Sequence, residues 1–137
     1  AGTLSGNPIA VTAGLAMLSL LKEGGTALYE RLEQVGKTIA ESLRESARNK
    51  NVPVIVNQVG SMLTVFFTEA HAVADYTSAK TSDTVQFAKW FRALLEQGIY
   101  FPPSQFEAAF LSAILTDSDI ELLTNSARSA FQSLASH

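Results

Sequence analysis

The chain has 137 residues, of which 47% are hydrophobic, with a formal net charge of -3 and no cysteine. That length and apolar content fit one globular domain with a real core and exclude a disordered chain. The basic residues are scattered rather than arranged in a stripe, which argues against nucleic-acid binding. The lack of cysteine excludes disulfides, thiolate metal sites and Cys nucleophiles.

The chain opens on Ala1-Gly2-Thr3-Leu4-Ser5-Gly6-Asn7-Pro8. An opening without methionine, on a loop with no element before it, reads as a cut from a longer protein. Small, polar, glycine-rich residues before a helix start suit a phosphate group. Glycine lets the backbone approach closely, hydroxyls donate, and the helix dipole favours an anion. The same string also reads as a plain N-cap loop, with Asn7 as N-cap and Pro8 at the first helical position.

Pro8 to Lys22 is predicted to be a helix, apolar on nearly every face and therefore buried on all sides. A domain this small can hardly cover it alone, so part of its partner surface is expected in another portion of the protein or another subunit. Its longest apolar stretch, Ile9 to Leu21, is interrupted by Thr12, Gly14 and Ser19 and is too short to span a bilayer. Gly24-Gly25 ends this helix. Leu28, Leu32, Val35, Ile39 and Leu43 then predict an amphipathic helix to about Arg48.

Val52 to Val56 and Met62 to Thr68 read as a hairpin around Val59-Gly60-Ser61, the second strand being central because both its faces are apolar. Glu69 to Lys80 reads as a surface loop with a short helical piece. Ser82 or Thr81 is predicted to cap a helix to Gln97, with Val85, Ala88, Phe91 and Leu95 inward and Gly98 as its stop. Ile99 to Phe101 is expected to be a short strand ended by Pro102-Pro103, and Phe110 to Ile114 another. Thr116 to Asp119 approximates a capping box. The last helix carries an apolar stripe of Ile120, Leu123, Ala127, Ala130 and Leu134. The fold class is α+β: a small, largely antiparallel sheet covered by helices on one face.

Few side chains suggest chemistry. His71 and His137 are the only histidines, and converging metal ligands cannot be assembled around either. Trp90, Phe87 and Phe91 read as core. Glu107 stands between Pro102-Pro103-Ser104-Gln105-Phe106 and the run from Ala108 to Leu111. A carboxylate there either caps or rims the loop, or it faces a cavity.

The string Gly2-Thr3-Leu4-Ser5-Gly6-Asn7-Pro8 before an apolar helix resembles the class III aminotransferase group of fold-type I pyridoxal-phosphate enzymes. Gly60-Ser61-Met62 followed by Phe66-Phe67-Thr68 agrees, as do Leu95-Glu96-Gln97-Gly98-Ile99-Tyr100 and Pro103-Ser104-Gln105-Phe106-Glu107-Ala108. Together they resemble the C-terminal part of the glutamate-1-semialdehyde 2,1-aminomutase family. The resemblance implies an isomerase forming 5-aminolevulinate through a pyridoxal 5'-phosphate cycle, active as a cytoplasmic homodimer, with a plastid location if the source is a photosynthetic eukaryote. It implies a small-molecule substrate, with no nucleic-acid or membrane partner. It assigns residues 1–7 to an interdomain, phosphate-facing loop and residues 8–137 to the C-terminal small domain. It gives Gly2 and Thr3 to the cofactor phosphate of the other subunit and Glu107 to the substrate site. The Schiff-base lysine of the family lies upstream, so this chain by itself is expected to be inactive. Ala109 and Leu115 depart from the family pattern, which has glycine and histidine there. Two other readings stand beside it: the same domain of another class III aminotransferase, and a free-standing α+β interaction module.

Overall fold

The structure, a computed structural model, describes Gly2 and residues 5–135. Its first element, α1 (Pro8–Arg48), joins the two helices expected on either side of Gly24-Gly25. The join is a break rather than a continuous rod. Gly25 adopts φ 50° and ψ -148°, outside helical geometry and in a region that favours glycine. The Asn7 side chain caps α1 by accepting from the N–H groups of Ile9 and Ala10 at 3.0 and 3.2 Å.

The first half of α1 is not buried as its composition predicts. Every residue from Pro8 to Leu20 is exposed, Ile9 at 81% and Leu18 at 64%. An apolar helix buries its faces only where another element meets it, and no described element meets this half. The second half does what its stripe requires. Ile39, Ala40, Leu43 and Ala47 are buried, with Val35 packed at the margin.

The sheet follows. Strands β1 (Val54–Val59) and β2 (Met62–Phe67) pair antiparallel, from Val54 opposite Phe67 to Val59 opposite Met62, around Gly60-Ser61. Gly60 takes φ 57°, a conformation that favours glycine in a tight turn. The short strand β3 (Ala109–Phe110) adds to the other edge of β2, with Met62 opposite Phe110 and Leu63 opposite Ala109. The order β1-β2-β3 makes β2 central, as its two apolar faces predict.

The remaining helices are α2 (Tyr76–Lys80), α3 (Thr84–Leu95) and α4 (Asp117–Ala135). The cap of α3 is Asp83, not Ser82 or Thr81. Its carboxylate accepts from the N–H groups of Val85 and Gln86 at 2.8 and 3.0 Å. The inner face of α3 is also turned from the predicted one. Phe87, Trp90 and Leu94 are buried, whereas Val85 and Leu95 are 64% and 46% exposed. Phe87 and Trp90 bury more apolar area than Val85 and Leu95 and so turn the face toward themselves, leaving Ala88 and Phe91 half-buried at its margin. The capping box before α4 forms: Asp119 accepts from the Thr116 N–H and the Thr116 hydroxyl accepts from the Asp119 N–H.

One expected strand is absent and one is shorter. Ile99 to Phe101 has no ladder. The Ile99 N–H donates to the Leu94 carbonyl in the turn that ends α3 around Gly98, and Pro102-Pro103 offers no N–H. The expected strand from Phe110 to Ile114 is reduced to Ala109–Phe110.

The inner face of the sheet meets α1, α3 and α4 around one aromatic centre. The Phe67 ring lies 5.8 Å from Trp90, 6.0 Å from Phe131 and 6.2 Å from Phe87, centroid to centroid. Each such ring contributes roughly 1.5–3 kcal/mol through burial. The result is the α+β arrangement expected, a small antiparallel sheet with helices on one face.

Candidate functional site

The edge of the sheet at β3 carries the one acidic side chain singled out in the sequence. The chain leaves α3 at Gly98, runs through Pro102-Pro103 and turns at Ser104. The Ser104 hydroxyl accepts from the Phe106 N–H at 3.2 Å, and its carbonyl accepts from the Glu107 N–H at 3.1 Å. The Thr64 hydroxyl on β2 donates to the Glu107 carbonyl at 3.3 Å. Beyond β3, the Leu111 N–H donates to the Ser61 carbonyl at 2.9 Å.

This path leaves an open groove of about 480 Å³, walled by Tyr100, Phe101, Pro103, Phe110, Leu111 and Leu115, with Glu107 at its rim. Glu107 is exposed, and it is the only carboxylate among the lining residues. No ion pair reaches it among the described residues. A lone carboxylate beside aromatic and aliphatic walls suits a cationic group better than an anionic one. Arg31 of α1 donates to the Leu115 carbonyl at 3.0 Å and so ties the groove's far wall to the long helix.

The opening loop lies elsewhere. Gly2 is exposed, its carbonyl accepts from the Ser5 N–H at 2.9 Å, and nothing stands within 4 Å of where a β-carbon would be. Thr3 and His137 fall outside the described residues. Gly2 does not line the groove of Glu107, so the two parts of the sequence-predicted site are not brought together by this chain. No lysine lines that groove either: Lys37 pairs with Glu33 at 3.1 Å, Lys80 sits over the Tyr76 ring, and Lys89 borders a separate groove between α3 and α4. His71 is exposed. Among the described residues no group of three or more His, Asp or Glu side chains could hold a metal, and no helix is long and apolar enough to cross a membrane.

Sequence reasoning missed Gln105. It is a loop residue flanked by Ser and Phe, yet only 2% of its surface is exposed. Its Oε1 accepts from the Phe67 N–H at 3.2 Å.

The chain is 53% identical over 133 residues to the glutamate-1-semialdehyde 2,1-aminomutase of Myxococcus xanthus, and 50% identical over 135 residues to that of a Sulfurihydrogenibium species. The chain is homologous to glutamate-1-semialdehyde 2,1-aminomutases. The alignments cover 97% and 98% of this chain but 30% and 31% of those relatives, so the chain spans about a third of their length. No family model matches it. Among solved structures, an omega-transaminase from Sphaerobacter thermophilus superposes with a TM-score of 0.77 at 21% identity, covering 96% of this chain and 29% of that one. A transaminase with bound PLP gives 0.80 at 22% identity, covering 99% and 30%. The fold described above is therefore that of one part of the transaminase chain.

Proposed function

We propose that this chain is the C-terminal small domain of a pyridoxal-phosphate-dependent aminomutase that converts glutamate 1-semialdehyde to 5-aminolevulinate, the tetrapyrrole precursor. The observation that carries the reading is 53% identity across nearly the whole chain to an aminomutase. In this reading residues 1–7 are the phosphate-facing loop, residues 8–137 are the small domain, and the whole protein works as a cytoplasmic homodimer.

The residues present fit a contribution to the cofactor site rather than a complete one. Gly2 has open space around its Cα, so a phosphate can approach its backbone closely. The first helical N–H groups of α1 are less available, because Asn7 already occupies those of Ile9 and Ala10. Gly2 and Thr3 would thus hold the phosphate, Thr3 on the strength of the sequence motif alone. Bound pyridoxal phosphate supplies the carbonyl chemistry through which an amino group is exchanged. No lysine lines the groove with Glu107, and in this reading the Schiff-base lysine belongs to the remainder of the protein, so this chain by itself is expected to be inactive.

Glu107 acts on charge. Moving an amino group between neighbouring carbons of one molecule passes through a species bearing two amino groups, which is cationic. A rim carboxylate holds such a cation and keeps it from leaving before the second transfer. At about 4 Å the attraction is about 1 kcal/mol in bulk water and about 4 kcal/mol at the effective dielectric of a partly covered site. The apolar wall from Tyr100 to Leu115 supplies that partial cover. No arginine lines the groove to hold the carboxylate of an external amino acid.

A chimera tests the reading. The matching segment of the Myxococcus xanthus enzyme is replaced by this chain, and the product from glutamate 1-semialdehyde is assayed. Formation of 5-aminolevulinate is expected. A folded, cofactor-loaded chimera that transfers amino groups only between separate molecules would overturn it.

A further inference from the structure

The central strand β2 ends with an unusual pair of attachments. Phe67 lies opposite Val54 of β1, but its own peptide groups face the other edge. Strand β3 is only two residues long and reaches no further than Leu63. The Phe67 carbonyl accepts from the Asp83 N–H at 2.7 Å, where α3 begins. The Phe67 N–H donates to the Gln105 side chain. A side-chain amide therefore stands where a longer β3 would have paired with β2.

A peptide N–H only donates, so the carbonyl end of the amide must face Phe67. That leaves the Gln105 Nε2 buried and without a hydrogen-bond partner among the described residues. A buried amide left half-satisfied is costly and persists where it secures something else. What it secures here is the Ser104–Glu107 turn. Two residues after Gln105, the Thr64 hydroxyl holds the Glu107 carbonyl, and β3 follows at once. Glu107 is thus bracketed between two ties to the same strand, one of them the buried amide.

We propose that Gln105 is a positioning residue: its amide, anchored on the Phe67 N–H, fixes the turn that places the Glu107 carboxylate at the groove. The functional half of this inference rests on the reading of Glu107 as a substrate-site carboxylate.

Three variants test it. Gln105→Met keeps the length and removes the acceptor. Gln105→Glu keeps a carbonyl acceptor, since burial favours the neutral acid. Thr64→Val removes the second tie without touching the buried site, and reports on the turn if Gln105→Met folds poorly. The first measurement is amide hydrogen exchange on this chain. Exchange at Glu107 is expected to rise about tenfold in Gln105→Met and in Thr64→Val, with Phe131 in the core unchanged, and to return to the parent rate in Gln105→Glu. An unchanged Glu107 rate in both Gln105→Met and Thr64→Val would overturn the positioning role whatever the enzyme does.

The second measurement is kinetic, in the chimera. Gln105→Met is expected to lower kcat several-fold with KM nearly constant, and to add nothing in a Glu107→Gln background. Multiplying penalties in the double variant would show that Gln105 acts on stability alone and overturn the proposal. If Glu107→Gln by itself changes no kinetic constant, the substrate-site reading of Glu107 fails. The exchange result then still decides whether Gln105 places that residue.

Discussion

Gly36 of α1 packs directly against the carbonyl oxygen of Gly60 in the β1–β2 turn, so closely that a β-carbon at Gly36 would collide with it. The long helix and the hairpin meet here backbone to backbone, and a glycine on each side makes the approach feasible. Alanine at Gly36 would normally favour a helix by about 1 kcal/mol. The clash opposes that gain, since overpacking at a fixed backbone contact costs about 1–3 kcal/mol. Gly36→Ala is therefore expected to lower stability in denaturant titration. A more stable variant would show that the turn yields freely.

The two halves of α1 should respond differently to truncation. Leu43 is fully buried, and Leu43→Ala is expected to cost about 2–5 kcal/mol. Leu15 is 61% exposed on the unpacked half, and Leu15→Ala is expected to cost less than about 0.5 kcal/mol. Chemical denaturation of the two variants decides it. Equal losses would mean that the first half packs against something in solution.

Acid should weaken the fold through its helix caps. The backbone N–H of Gln86, with that of Val85, holds the Asp83 carboxyl below its ordinary pKa. Asp75 is lowered by the Ser78 N–H and hydroxyl, and Asp119 by the Thr116 hydroxyl and N–H. A depressed folded pKa gives stability that is present above the unfolded value, near 4, and lost as pH falls through the folded value. Stability is expected to be level from pH 7 to about 5 and to fall below about 4. Asp83→Asn, which still caps, should flatten part of that fall. An identical acid profile for Asp83→Asn would remove this cap from the cause.

In the chimeric aminomutase, Glu107→Gln keeps shape and hydrogen-bonding capacity but removes charge. Slower turnover and greater release of the diamine are expected, measured by chromatography of the reaction mixture. Normal turnover with no released diamine would make Glu107 a loop residue only.

Much of this architecture was legible in the residues. The stripe from Leu28 to Leu43, the hairpin at Gly60 and the capping box at Thr116 each follow from local spacing or turn chemistry, and each formed. The misses share a physical origin. The inner face of α3 was set by which rings reached Phe67, a contact between distant segments. Ile99 failed to form a strand because its N–H was taken by the preceding helix end. Gln105 gave no signal, because a polar loop residue becomes buried only when the strand beside it stops short. Glu107 stands out in the sequence for its apolar neighbours, and several of them line the groove with it.

The break at Gly25 also divides how the molecule melts. Helical backbone geometry along α1 is interrupted there, and among the described residues the stretch 8–24 is almost entirely exposed. A helical stretch of that length is marginal in water when it stands alone. Trp90, the single tryptophan, sits fully buried among Phe67, Phe101 and Phe131 and reports only on the core. On heating this chain, helical circular dichroism should begin to decline while tryptophan fluorescence stays constant. The two curves separate into an early, gradual loss and a later cooperative one, and a single glycine conformation sets the boundary between them.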